Sequence, residues 1–149
     1  MIFSNILKTD FRIDYNNTML NWDSEKIYLD SLYLNKLYIE ILPESFGSLE
    51  IKGELNLFNN LLQTLPKSFG NIKIGDILRL NKNQLTSLPE SFGNLKVGKS
   101  LFLSKNQLKS LPKSFRKLII KGNLDLSYNE LQSLPESLEI IGNLKLYNK

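Results

Sequence analysis

Four asparagines, Asn60, Asn83, Asn106 and Asn129, recur at a constant step of 23 residues. A carboxamide offers two N–H donors and one acceptor, so each can bond the backbone of its own repeat and of the next. Identical residues at identical steps stack into a ladder, and that structural use accounts for all four without catalysis. A second set has the chemistry of recognition. Tyr33, Lys36, Phe58, Ile77, Arg79, Lys82, Phe102, Lys105, Asp125, Tyr128, Lys145 and Tyr147 lie between or just after the leucines of the same repeats. Aromatic and Arg side chains dominate binding hot spots, so these are the candidate partner-binding residues.

Other chemistry is excluded by what the chain lacks. It has no Cys and no His, which removes disulfides, thiol nucleophiles, Cys/His zinc sites and imidazole acid–base catalysis. The signatures G-x-x-x-x-G-K-[ST], G-x-G-x-x-G and G-x-S-x-G are all missing. Asp10, Asp23, Glu25 and Asp30 match no metal-loop spacing, and Glu44, Glu90 and Glu136, each followed by Ser, recur at one turn position as solvated, cap-like residues. No enzyme, no metal and no cofactor is expected.

The chain has 149 residues, 42% hydrophobic and 23% charged, which suits one ordinary globular domain. It contains no apolar run of about 18 residues, so no membrane-spanning helix is expected. The opening MIFSNILKTD lacks the basic region of a secretory signal. Missing cysteine suits a reducing compartment, and the cytoplasm is the expected location. The net charge of +4 is spread along the chain. Lys36, Lys82 and Lys105 share a register position near aromatics, yet Glu54, Asp125 and Glu130 interrupt them, which disfavours nucleic acid.

The elements that hold these residues come from the repeat. A Leu-Pro pair begins at Leu42, Leu65, Leu88, Leu111 and Leu134, and every proline of the chain belongs to one of these pairs. The second half of each unit reads L-x-L-x-x-N-x-L, and the alternation L-x-L is a strand with one buried face. A degenerate first copy, Leu32-Tyr33-Leu34, and a last one, Leu144-Lys145-Leu146, bring the total to six parallel strands. In the first half, Phe46, Phe69, Phe92 and Phe115, followed by Leu138, form an inner spine. The pairs Leu49/Ile51, Ile72/Ile74, Leu95/Val97 and Leu118/Ile120 are spaced by two and predict extended chain, with Gly75 and Gly98, or Gly53 and Gly122, turning it toward the strand. One coil cannot bury enough apolar surface alone, so the coils must stack.

Residues 1–31 hold neither Pro nor Gly. Phe11, Ile13 and Tyr15 alternate, Asn16-Asn17 suits a turn, and Leu20 and Trp22 alternate afterwards, so this span reads as an N-terminal cap built on a β-hairpin. Residues 32–149 are the solenoid, five to six coils with the last truncated.

The motif L-x-L-x-x-N-x-L at a period of 23 resembles the leucine-rich-repeat superfamily over nearly four-fifths of the chain. The LP-x-x-F-G-x-L half looks like the short repeats of intracellular plant and bacterial members. Their usual apolar eleventh position is here Lys52, Gly75, Gly98 and Lys121, which favours an extended or 3-10 convex side over a helix. The last unit, LPESLEIIGNLKLYNK, resembles the 20-residue repeats of secreted bacterial effectors and leaves secretion into a host cell as an alternative. The resemblance implies an α/β-type solenoid, a right-handed superhelix of mainly parallel strands with little α-helix. It also implies that the concave strand face binds a partner, usually another protein.

The expected function is therefore a protein–protein interaction module whose strand face takes a protein or peptide of acidic character with an apolar element. The alternatives are a structural repeat protein that self-assembles through its C-terminal strand edge, monomeric otherwise, or one segment of a larger effector-like protein.

Overall fold

In the computed structural model residues 27–147 are described, and the hairpin expected from Phe11 to Trp22 lies outside them. Each coil contributes a back strand and a front strand. In chain order these are β1 (Ile27–Leu29) and β2 (Leu32–Tyr33), β3 (Leu49–Ile51) and β4 (Leu55–Asn56), β5 (Lys73–Ile74) and β6 (Ile77–Arg79). They continue as β7 (Lys96–Val97) and β8 (Ser100–Phe102), β9 (Ile119–Ile120) and β10 (Leu124–Asp125), β11 (Glu139–Ile140) and β12 (Leu144–Lys145).

The even-numbered strands form the expected parallel six-stranded sheet, ordered β12-β10-β8-β6-β4-β2. Its register steps by one repeat, pairing Leu55 with Leu78, Leu78 with Leu101 and Leu101 with Leu124. Leucine therefore stacks on leucine, and all four are fully buried. The back segments are extended, as their period of two requires, and they go further by pairing with one another. One back sheet runs β1-β3-β5-β7, and β9-β11 stands as a separate two-stranded piece. Because Ile27–Leu29 pairs with Leu49–Ile51, coil stacking already begins inside the span 1–31.

Between front and back strands, proline opens a 3-10 turn at Glu44–Ser48, Lys67–Asn71, Glu90–Asn94 and Lys113–Lys117. The ring fixes φ and removes the N–H, while the proline carbonyl accepts the N–H of the following phenylalanine at 2.9–3.0 Å. No α-helix occurs among the described residues. The four phenylalanines stack with ring centroids 6.4, 6.0 and 5.9 Å apart and planes within 9°. Leu138 does not continue that spine. Strand pairing sets Glu139 beside Ile119, so Leu138 follows Leu118 in register, and the residues missing from the last unit are the counterparts of Phe115, Arg116 and Lys117.

The turns are tied to one another by hydrogen bonds from the backbone of one coil to a carboxylate of the coil before. Glu44, Lys67, Glu90, Lys113 and Glu136 occupy one position of successive units, alternating in sign. The Glu44 carboxylate accepts the N–H of Lys67 at 3.0 Å and of Ser68 at 2.9 Å, capping the next coil's turn. Glu90 takes the N–H of Ser114 in the same way at 3.3 Å. The Ser68 hydroxyl and the amides of Ser68 and Lys67 hold the Glu44 carboxyl below the ordinary value for glutamate.

The glycines serve differently from the reading above. None has a positive φ, so Gly75 and Gly98 do not supply a left-handed turn. They supply room: a Cβ on Gly98 would collide with the carbonyl of Gly75 one coil back. Besides Tyr38 and Ser137, the left-handed conformation falls on one column, Lys36, Asn59, Lys82, Lys105 and Tyr128, with φ of 54–59°. Each directly precedes the ladder position.

Candidate functional site

The ladder fixes the front strands from behind. Asn83 Nδ2 donates to the carbonyls of Leu80 in its own coil and Leu57 in the preceding one, both at 3.0 Å, and Asn83 Oδ1 accepts the N–H of Leu62 at 3.1 Å. Asn106 and Asn129 repeat the pattern, and Asn60 reaches Leu34, Leu37 and Ile39. Each asparagine thus reaches back to the preceding coil and not forward to the next. The degenerate first coil has Leu37 at this position, and its backbone is served by Asn60.

On the outer side of the same strands the candidate residues fall into columns. Tyr33, Asn56, Arg79, Phe102, Asp125 and Lys145 are direct partners in the parallel register, one per strand. Neighbouring strands lie about 4.8 Å apart, so this is a continuous row of side chains across all six. Tyr33 lies exposed at one end, with Lys36 beside it, and Lys145 and Tyr147 lie exposed at the other. Phe58, Ile77, Arg79, Phe102 and Asp125 are half-buried, whereas Lys82, Lys105 and Tyr128 are exposed.

The centre is held together by charge and aromatic contacts. Arg79 Nε donates to Glu54 Oε1 at 2.8 Å, one coil back. On its other side the guanidinium carbon lies 4.8 Å from the Phe102 ring centroid, one coil forward. Lys82 Nζ lies 6.0 Å from the centroid of Phe58, and Lys105 Nζ 5.5 Å from that of Tyr128. Asp125 is occupied locally, accepting the Ser127 N–H at 3.0 Å and its hydroxyl. Asn81 Oδ1, in the column of Phe58, is buried without a hydrogen-bond partner among the described residues.

Two features escaped the sequence reading. Glu54 is the partner that orients Arg79, and it is visible in sequence only as an acidic residue in the column preceding the strand leucine. Ser104 and Ser127, in outward-facing register, are in fact buried. The local hydrogen bonds of Ser127 explain its burial.

Among the described residues no group of three or more acidic side chains could hold a metal ion. No described helix is long and apolar enough to cross a membrane.

Residues 76–95 match the Leucine Rich Repeat family model. Among solved structures, a leucine-rich-repeat protein of Leptospira interrogans is similar at 34% identity and a TM-score of 0.63, over 79% of this chain and 31% of that one. This chain therefore spans 31% of the length of that relative. No curated protein matches the chain. Parallel sheets stacked coil on coil, leucine columns at one step and these two likenesses agree: the fold is an α/β repeat solenoid, and it is similar to the leucine-rich-repeat superfamily.

Proposed function

We propose that the front sheet is a recognition surface for a protein or peptide, centred on Arg79 and Phe102. The observation that carries this reading is the Glu54–Arg79–Phe102 row. Its guanidinium is held at Nε by a carboxylate and against a ring by its face. A side chain ordered before binding loses little freedom on binding, and Arg and aromatic side chains are the usual anchors of interfaces. Half-buried Ile77, Phe58 and Phe102 offer the apolar floor for a partner's apolar group. Because Glu54 already balances Arg79, the acidic groups of the partner meet the lysine edge, Lys36, Lys82 and Lys105. The orphan acceptor of Asn81 supports the same reading, since a partner N–H would relieve it.

Selection of a randomised displayed peptide library on the immobilised chain tests this. Enriched peptides should combine Asp or Glu with an aromatic or branched apolar residue. They should lose binding to the Arg79→Ala/Phe102→Ala variant while its melting temperature stays close to that of the parent. Undiminished binding to that variant would remove the front sheet as the site.

A further inference from the structure

The back of the solenoid carries a second irregularity, remote from the front sheet. Residues 95–117 contain seven Lys or Arg and no Asp or Glu. Among the described residues only Lys99 of these is ion-paired, to Asp76 at 2.8 Å.

Three changes coincide at the 3-10 turn Lys113–Lys117. Earlier turns place Gly47, Gly70 and Gly93 where a Cβ would strike Ser68, Ser91 or Ser114 of the following coil. At the fourth turn this position is Arg116, which is exposed, and the last unit is three residues shorter. Its register step is 20, Ile119 to Glu139, against 23 for Lys73 to Lys96. The back sheet also divides there, between β7 and β9. Beyond the turn, buried Leu118 and Ile120 alternate with outward Lys117, Ile119 and Lys121. Ile119 is 55% exposed on a strand that pairs on one side only, with β11. Lys96 lies outward on β7.

The result is an open step on which Lys96, Arg116, Lys117 and Lys121 outnumber one exposed carboxylate, Glu139, the strand partner of Ile119. The outward residues of β7 and β9 include no aromatic to anchor a protein interface or on which a base could stack. An anionic bilayer asks for neither. Its headgroups attract clustered cations, and long Lys stems reach them while an apolar neighbour enters the interface. We propose that Lys96, Arg116, Lys117, Ile119 and Lys121 dock the back face on anionic phospholipid, leaving the front sheet turned away from the membrane.

Co-sedimentation of the full chain with vesicles tests this, using phosphatidylcholine alone and phosphatidylcholine mixed with phosphatidylserine at about 0.1 M salt. The chain should pellet only with the anionic vesicles and be released as salt rises. Arg116→Ser/Lys117→Ser/Lys121→Ser should weaken binding by about fivefold per cation removed, with its melting temperature unchanged because all three side chains are exposed. Ile119→Ser should weaken it further. A front-edge variant, Lys36→Ser/Lys82→Ser/Lys105→Ser, should pellet like the parent. Equal loss in both triple variants would mean that net charge alone acts. That result, no pelleting with anionic vesicles, undiminished pelleting of the back-face variant, or tighter binding to duplex DNA in the same buffer would each overturn the proposal.

Discussion

Asn60 and Asn83 share one acceptor: the carbonyl oxygen of Leu57 receives an N–H from each, both at 3.0 Å. Neighbouring rungs are therefore coupled, and removing one asparagine leaves its neighbour in place. Asn83→Ala should nevertheless lower stability by about 2 kcal/mol, because the buried N–H of Leu62 then has no acceptor. Asn83→Asp should cost more at neutral pH, since it sets a charge against two carbonyls, and should recover toward the alanine variant in acid. Chemical denaturation at two pH values measures both.

Gly93 and Arg116 occupy the same position of successive turns, yet Gly93 is buried and Arg116 is exposed. Gly93→Ala should destabilise by about 1–3 kcal/mol, because its Cβ meets backbone of Ser114 and cannot be accommodated by a side-chain shift. Arg116→Ala should leave the melting temperature within a degree or two. Equal effects would mean that the fourth turn is packed like the others.

Lys82 holds a left-handed backbone with φ of 59°. Valine, branched at Cβ, tolerates this conformation poorly, so Lys82→Val should lose roughly 1–2 kcal/mol. Lys82→Gly removes the steric conflict at the cost of unfolded-state freedom and should change stability little. Urea midpoints for the two variants should differ in that order.

Glu44 supplies a pH dependence whose sign follows from its lowered pKa. A depressed folded-state value means that the ionised form is the one favoured by folding. The contribution is present above the ordinary glutamate value and is lost as pH falls through the lowered one. Glu44→Gln should melt below the parent at neutral pH, with the two curves converging in acid. Parallel curves would show that the caps on Lys67 and Ser68 do not depend on the carboxylate charge.

Most of the architecture was legible because one residue type repeats at one step wherever a side chain is buried. Leu55, Leu78, Leu101 and Leu124 need no neighbour's identity to be placed. Register in the shortened last unit was harder. Aligning on Leu-Pro sets Leu138 against Phe115, whereas strand pairing sets it after Leu118, and nothing local says where in the unit the residues were lost. Gly75 and Gly98 looked like turn formers, but their constraint is the backbone of the adjacent coil. The left-handed residues gave no glycine signal because Lys, Asn and Tyr fill that position. At the candidate site the columns could be read from spacing. The Glu54–Arg79 pair could not, since it joins residues 25 apart through the reach of two side chains.

The alternating signs at Glu44, Lys67, Glu90, Lys113 and Glu136 give the array a parity that its leucines do not have. Excising the single unit that carries Lys67 would set the Glu44 carboxylate against a turn headed by Glu90, adding repulsion between like charges to a cap made on backbone N–H groups. Excising that unit together with the next would present Lys113 and restore the match. Shortening or lengthening this solenoid should therefore be tolerated in even numbers of coils and resisted in odd ones, so its natural building block is a pair.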